Sequence, residues 1–323
     1  LDLSHNKIEY FEYSNEVFIM TSLNLENNLL NFFDFANLGY FHGLNSLNLC
    51  KNRLKNLNVN NQIISYKIKY LSLCQNQIIF FPQFFLAFFY NLEKLDLDSN
   101  QLGFVGRATL TYINKIRYLS LSSNKLRRIL PQTFENLNHL LELDISKNDL
   151  TFITNLTFQN LNSLFYLNLS YNSLPNMTYG ILRGLSNLVN LDLSHNQIKY
   201  IEFDSFKDMN KIQNLNLILN PIFNIEILGS LNSIKYFFIS SNIFDNFENL
   251  SNLIKSIQPR LYKTTSHDSI DYYESMNIIY LSKNYTRLNC FSIMYLIKFK
   301  IHLNLNNDQN LNKFLNKCGK VLF

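Results

Sequence analysis

Residues 119–142 read LSLSSNKLRRILPQTFENLNHLLE, and the same frame recurs along most of the chain. Leu119 and Leu121 alternate with Tyr118, Ser120 and Ser122, the period of two expected of a short strand with one face in a core. Asn124, Leu126, Ile129, Phe134, Leu137 and Leu140 follow at spacings too irregular for a long helix, so they fit a loose return arc that turns one apolar side chain inward at each bend. The frame Leu-x-Leu-x-x-Asn-x-Leu occurs eleven times, with its asparagine at Asn6, Asn28, Asn52, Asn76, Asn100, Asn124, Asn148, Asn172, Asn196, Asn220 and Asn242. Interior steps are 24 residues and the outermost two are 22. Copies of equal length predict a solenoid whose strands stack in parallel and in register about 4.8 Å apart, with a long curved face in place of a deep catalytic cleft.

The asparagine column has a physical task. Where the chain turns out of the strand, buried backbone groups lack a ladder partner, and an inward amide offers both donors and an acceptor to them. Asn28, Asn52, Asn76, Asn100, Asn124, Asn148, Asn172, Asn196 and Asn220 are read as this structural ladder. Leu or Ile fills the next apolar column from Ile8 to Ile222, with Phe244 in the eleventh copy. Leu38, Leu86, Leu110, Phe134, Phe158, Leu182 and Phe206 support the convex side; Gln62 and Ser65 break that column and predict a local bulge. Residues 1–245 thus form eleven repeats, the first truncated. Residues 246–323 are read as degenerate repeats leading into a C-terminal cap, with partial copies at Ile279, Leu281, Asn284 and at Ile301, Leu303, Asn306, and a short terminal helix over Asp308 to Lys320.

Of the 323 residues 47 % are hydrophobic, ample for one continuous core, and only 16 % are charged. The net charge of +5 is spread along the chain, with no run of Lys or Arg that would mark a nucleic-acid or membrane partner. The greasiest stretch, Ile78 to Tyr90, is interrupted by Pro82 and keeps the repeat register, so it is core and no membrane insertion is expected. The chain opens on Leu1 inside a repeat strand, which points to a piece of a longer protein whose N-terminal cap and signal peptide precede it.

Strand positions facing away from the core are the candidate ligand-binding residues of the concave face. One column holds Tyr70, Lys94, Tyr118, Glu142 and Tyr166; the next holds Asp96, Ser120, Asp144, Asn168 and Asp192, with Asp98 two residues beyond Asp96. The acids skip alternate strands, as avoidance of like charges between neighbours requires. Tyrosines there would anchor a protein partner and the acids would set its charge preference. Ile218, Leu219 and Phe238 are apolar for exposed positions and suggest either a contact patch or cover by the cap.

Cys50 and Cys74 share a column one repeat apart, close enough to bridge but poorly angled for it, so a disulfide and two free thiols are both open. Cys290 and Cys318 would be joined as the staple of the tail in an oxidising compartment. Asn155, Asn176, Asn249 and Asn284 begin sequons for N-glycans; Asn168 does too, but on the concave face. The histidines at 5, 42, 139, 195, 267 and 302 are scattered, and no Cys or His cluster has metal-ligand spacing. Neither a phosphate loop nor a nucleophile with its base is present, so no enzyme, metal or cofactor is expected.

The repeat core followed by x-Pro-x-x-x-Phe-x-x-Leu, seen in ILPQTFENLNHL at 129–140, resembles the leucine-rich repeat superfamily in its typical 24-residue subclass. That resemblance implies an α/β solenoid, a right-handed horseshoe with a concave parallel β-sheet and a mostly irregular convex side. Members of the subclass, such as Toll-like receptor ectodomains, chaoptin-like adhesion proteins and the acid-labile subunit, imply an extracellular or cell-surface module binding a protein ligand or co-receptor, itself a possible homo- or hetero-dimer. The Asn-Pro-x-x-Cys-x-Cys cap motif and a Toll-type signalling domain do not occur in residues 1–323; truncation would account for either, so signalling stays open. An intracellular scaffold of the same fold is the alternative.

Overall fold

The computed structural model describes residues 1–12, 17–57, 67–82, 84–178, 180–223, 233–239 and 278–281. Most repeats place their first leucine at the middle of a three-residue strand, as Leu119 is in Tyr118–Ser120 and Leu143 in Glu142–Asp144. These strands join in one 11-stranded parallel sheet that runs in chain order from Ser22–Asn24 to Ile278–Leu281. Register is that of the sequence frame: Leu95 pairs with Leu119, Leu119 with Leu143, Leu143 with Leu167 and Leu167 with Leu191. The paired leucines are fully buried, because every copy sends the same two strand side chains inward. The last strand among the described residues, Ile278–Leu281, coincides with the partial copy at Ile279 and Leu281 and pairs directly with Tyr236–Ile239.

Among the described residues helix is confined to one or two turns: 3-10 segments at Phe35–Tyr40, Phe85–Phe89 and Phe203–Phe206, and one α-turn at Arg107–Leu110. The rest of each return arc is turn and extended chain, in places paired to its neighbour, as Arg128–Ile129 is with Phe152–Ile153. A parallel-sheet solenoid with little helix is therefore the fold. Leu38, Leu86, Leu110, Phe134, Phe158, Leu182 and Phe206 are all buried beneath the arcs, where Phe134 and Phe158 stack at 6.0 Å. The bulge expected at Gln62 and Ser65, the second partial copy, the terminal helix, and Asn242, Asn249, Asn284, Cys290 and Cys318 lie outside the described residues.

Each ladder asparagine repeats one bonding pattern. Asn124 Nδ2 donates to Leu97 O, Leu121 O and Ser122 O at 3.0, 3.1 and 2.9 Å, while its Oδ1 accepts from Leu102 N at 3.0 Å. Two of those partners belong to the preceding turn, so the amide ties turn to turn. Asn28 and every copy through Asn220 are buried in the same way.

The residue just before that asparagine adopts a left-handed conformation in every described repeat, from His5 and Asn27 through Ser123 and Tyr171 to Leu219, with φ between 49° and 57°. None of them is glycine, although that region costs most L-residues about 1–2 kcal/mol. The asparagine bonds on either side hold each residue there, and the sharp bend they force takes the chain off the sheet.

Candidate binding face

The first outward column runs Tyr70, Lys94, Tyr118, Glu142, Tyr166 on consecutive strands, each directly opposite the next. Tyr70 and Tyr118 stand in solvent at 45 % and 37 % exposure. Lys94 and Glu142 are exposed beside them, and Tyr236 continues the column at 42 %. Tyr166 is half-buried, and its hydroxyl is pushed above the ordinary tyrosine range, mainly by desolvation and further by the charges of Asp144 and Asp192. It stays neutral at any ordinary pH, a donor facing two acids.

The second column does more than the sequence discloses. Asp96, Asp144 and Asp192 each turn one carboxylate oxygen onto the backbone N–H two residues on: Asp98 N at 3.1 Å, Ser146 N at 2.8 Å and Ser194 N at 2.8 Å. Asn24, Asn48, Asn168 and Asn216 make the same short turn. The other oxygen of each aspartate takes a donor from a neighbouring strand: Ser72 Oγ on Asp96, Asn168 Nδ2 on Asp144, Asn216 Nδ2 on Asp192. Alternation of acids with amides and hydroxyls therefore gives each aspartate a hydrogen-bonded partner on one neighbouring strand as well as spacing the charges. These acids are half-buried and fixed in place by those bonds.

Asp98 accepts from Ser99 Oγ at 2.7 Å while its own N–H goes to Asp96, so the two carboxylates do not converge. Among the described residues no group of three or more His, Cys, Asp or Glu could hold a metal ion. His195 instead stacks on Tyr171 with ring centres 3.8 Å apart, and His5 bonds Asn27 Nδ2 at 2.8 Å. Leu219 is 52 % exposed at the bend, and Ile218 and Phe238 are half-buried.

Cys50 and Cys74 are joined as a disulfide, which closes the alternative of two free thiols. Their strands end at Asn48 and Ser72, two residues earlier, and the two Cα atoms lie 4.5 Å apart, close to the spacing of neighbouring strands and within bridging range. Asn155 and Asn176 are exposed on the outer arcs, whereas Asn168 is half-buried in the acidic column.

A family model described as leucine rich repeat matches residues 66–126 and 114–174. No curated protein matches the sequence with significance. Among solved structures, the TLR13 complex with ssRNA13 resembles the chain with a TM-score of 0.61 at 22 % identity, covering 71 % of this chain and 39 % of that one. The functional domain of InlJ from Listeria monocytogenes, which includes a cysteine ladder, resembles it with a TM-score of 0.56 at 20 % identity, covering 73 % and 47 %. The chain thus spans less than half the length of either. Repeat frame, amide ladder and stacked parallel sheet together define one class of fold, the leucine-rich repeat solenoid, and the family model places residues 66–174 in it.

Proposed function

We propose that the chain is the ligand-binding module of a secreted or cell-surface receptor or adhesion protein, and that it holds a protein partner on its concave face. The observation that carries this is the column Tyr70, Tyr118, Tyr166, aromatic side chains held at fixed spacing on a rigid sheet. Rigid aromatics lose little side-chain freedom when a partner docks, so they contribute more per contact than flexible residues. The acids Glu26, Asp96, Asp98, Glu142, Asp144 and Asp192 outnumber Lys51, Lys94 and Lys147 on these strands and the three residues that follow them, so the partner presents a basic or amide-rich face.

That same acidity disfavours a phosphate backbone, so the RNA held by TLR13 in its crystal is not the ligand class proposed for this chain. The Cys50–Cys74 disulfide supports an oxidising compartment, as do the exposed sequons at Asn155 and Asn176. An array of purified ectodomains probed with the chain should yield a binder that weakens at least about tenfold on Tyr118→Ala or Asp144→Lys. Binders indifferent to both changes would sink the concave-face reading. Native material that shows no mass loss on N-glycosidase treatment, with all cysteines open to alkylation, would point to an intracellular scaffold instead.

A further inference from the structure

The residue after each Asn-x-Leu forms a column along one flank of the solenoid, running Lys55, Ile79, Gly103, Arg127, Thr151. At Gly103 the column loses its side chain. The backbone there is not left-handed, and an added Cβ would meet nothing within 4 Å, so local structure does not call for glycine. What glycine leaves is a gap between Ile79 and Arg127. The turns carrying those two residues are two spacings of about 4.8 Å apart, which leaves room for one bulky side chain.

The gap opens into a groove of about 610 Å³ lined by Ile79, Phe80, Phe81, Phe104, Lys125 and Arg127 among others. Ile79, Phe80 and Phe104 are 55 %, 57 % and 48 % exposed. A second glycine shapes the bed: the ring of Phe104 lies over Gly106, whose Cβ would come within 2.7 Å of it. One wall is cationic. Lys125 Nζ donates to Gln101 Oε1 at 3.3 Å, and among the described residues no carboxylate pairs with Lys125 or Arg127, whereas nearby Arg107 is bound to Glu135 at 3.0 Å. No acid lines the groove. An alkyl chain would stay largely wet in so open a trough, but a peptide could lay one anchor in it and keep its polar backbone in water.

We propose that this groove is a second docking site, off the concave face, for an acidic peptide segment of a partner protein. The segment inserts one aromatic or leucine side chain above Gly103 and sets its carboxylates against Lys125 and Arg127. The test is selection of a random peptide library displayed on phage against the 323-residue chain. Enriched peptides should pair an apolar residue with Asp or Glu. They should bind both Gly103→Phe and the double variant Lys125→Glu/Arg127→Glu at least about tenfold more weakly, with thermal midpoints unchanged and Tyr118→Ala without effect. If Gly103→Phe fails to fold, the charge reversal alone decides. No enrichment, peptides without acids, equal binding to the variants, loss on Tyr118→Ala, or occupation by decanoate in preference to peptide each overturns the proposal.

Discussion

Asn124 shows how much one side chain carries in this molecule. Its amide satisfies one N–H and two carbonyls, Leu97 O and Leu121 O, that have no backbone partner, and adds a second bond to Ser122 O, which also accepts from Ser99 N. Asn124→Ala should therefore lower stability by about 1–3 kcal/mol in chemical denaturation, and Asn124→Asp should do worse by facing a carboxylate to those carbonyls. The residue before it gives a second prediction. Ser123 sits at φ 53°, so Ser123→Val should cost about 1–2 kcal/mol while Ser123→Asn costs nothing measurable by the same assay. The ladder was legible in sequence because its column never varies. The left-handed bend was not, because His, Lys, Gln, Ser, Tyr and Leu all occupy it and none of them signals φ. The short turns made by Asp96, Asp144 and Asp192 were hidden for another reason: an aspartate on an outward face looks the same whether it faces water or its own backbone.

At the scale of one turn, the constraint is how closely the arcs approach. Gly184 has φ +91°, and a Cβ there would fall 2.3 Å from Gln159 O in the preceding turn. Gly184→Ala meets both backbone strain and an immovable neighbour, so a loss of roughly 2–4 kcal/mol is expected by denaturant titration. Gly103→Ala, with open space around it, should change stability by less than about 0.5 kcal/mol. The two glycines look alike in the sequence. Period and strand register were readable from copy length alone, since equal turns can stack only one way. The flank groove was not, because it arises from a side chain that is missing from a column.

Across the whole molecule each turn touches only its neighbours, so stability is a sum of local terms and of links between turns. Two such links are ion pairs, Lys51 with Glu26 at 2.7 Å and Lys69 with Glu93 at 2.8 Å. The lysine partner, by direct hydrogen bonding, holds each glutamate below the ordinary carboxylate range. A carboxylate with a lowered folded pKa adds stability above its unfolded pKa and loses it as pH falls through the folded one. The thermal midpoint should accordingly hold steady down to about pH 5 and then drop, and Glu26→Gln combined with Glu93→Gln should make that drop shallower. An equally steep drop in the double variant would assign acid sensitivity to other carboxylates.

The bond between Cys50 and Cys74 has a mechanical consequence. A solenoid stretched from its two ends should peel one coil at a time, each lengthening the tether by the same amount. The coil closed by this bond, spanning 24 residues, cannot pay out its slack, so a single-molecule trace should fall short of full contour by about 80 Å until a reductant is added.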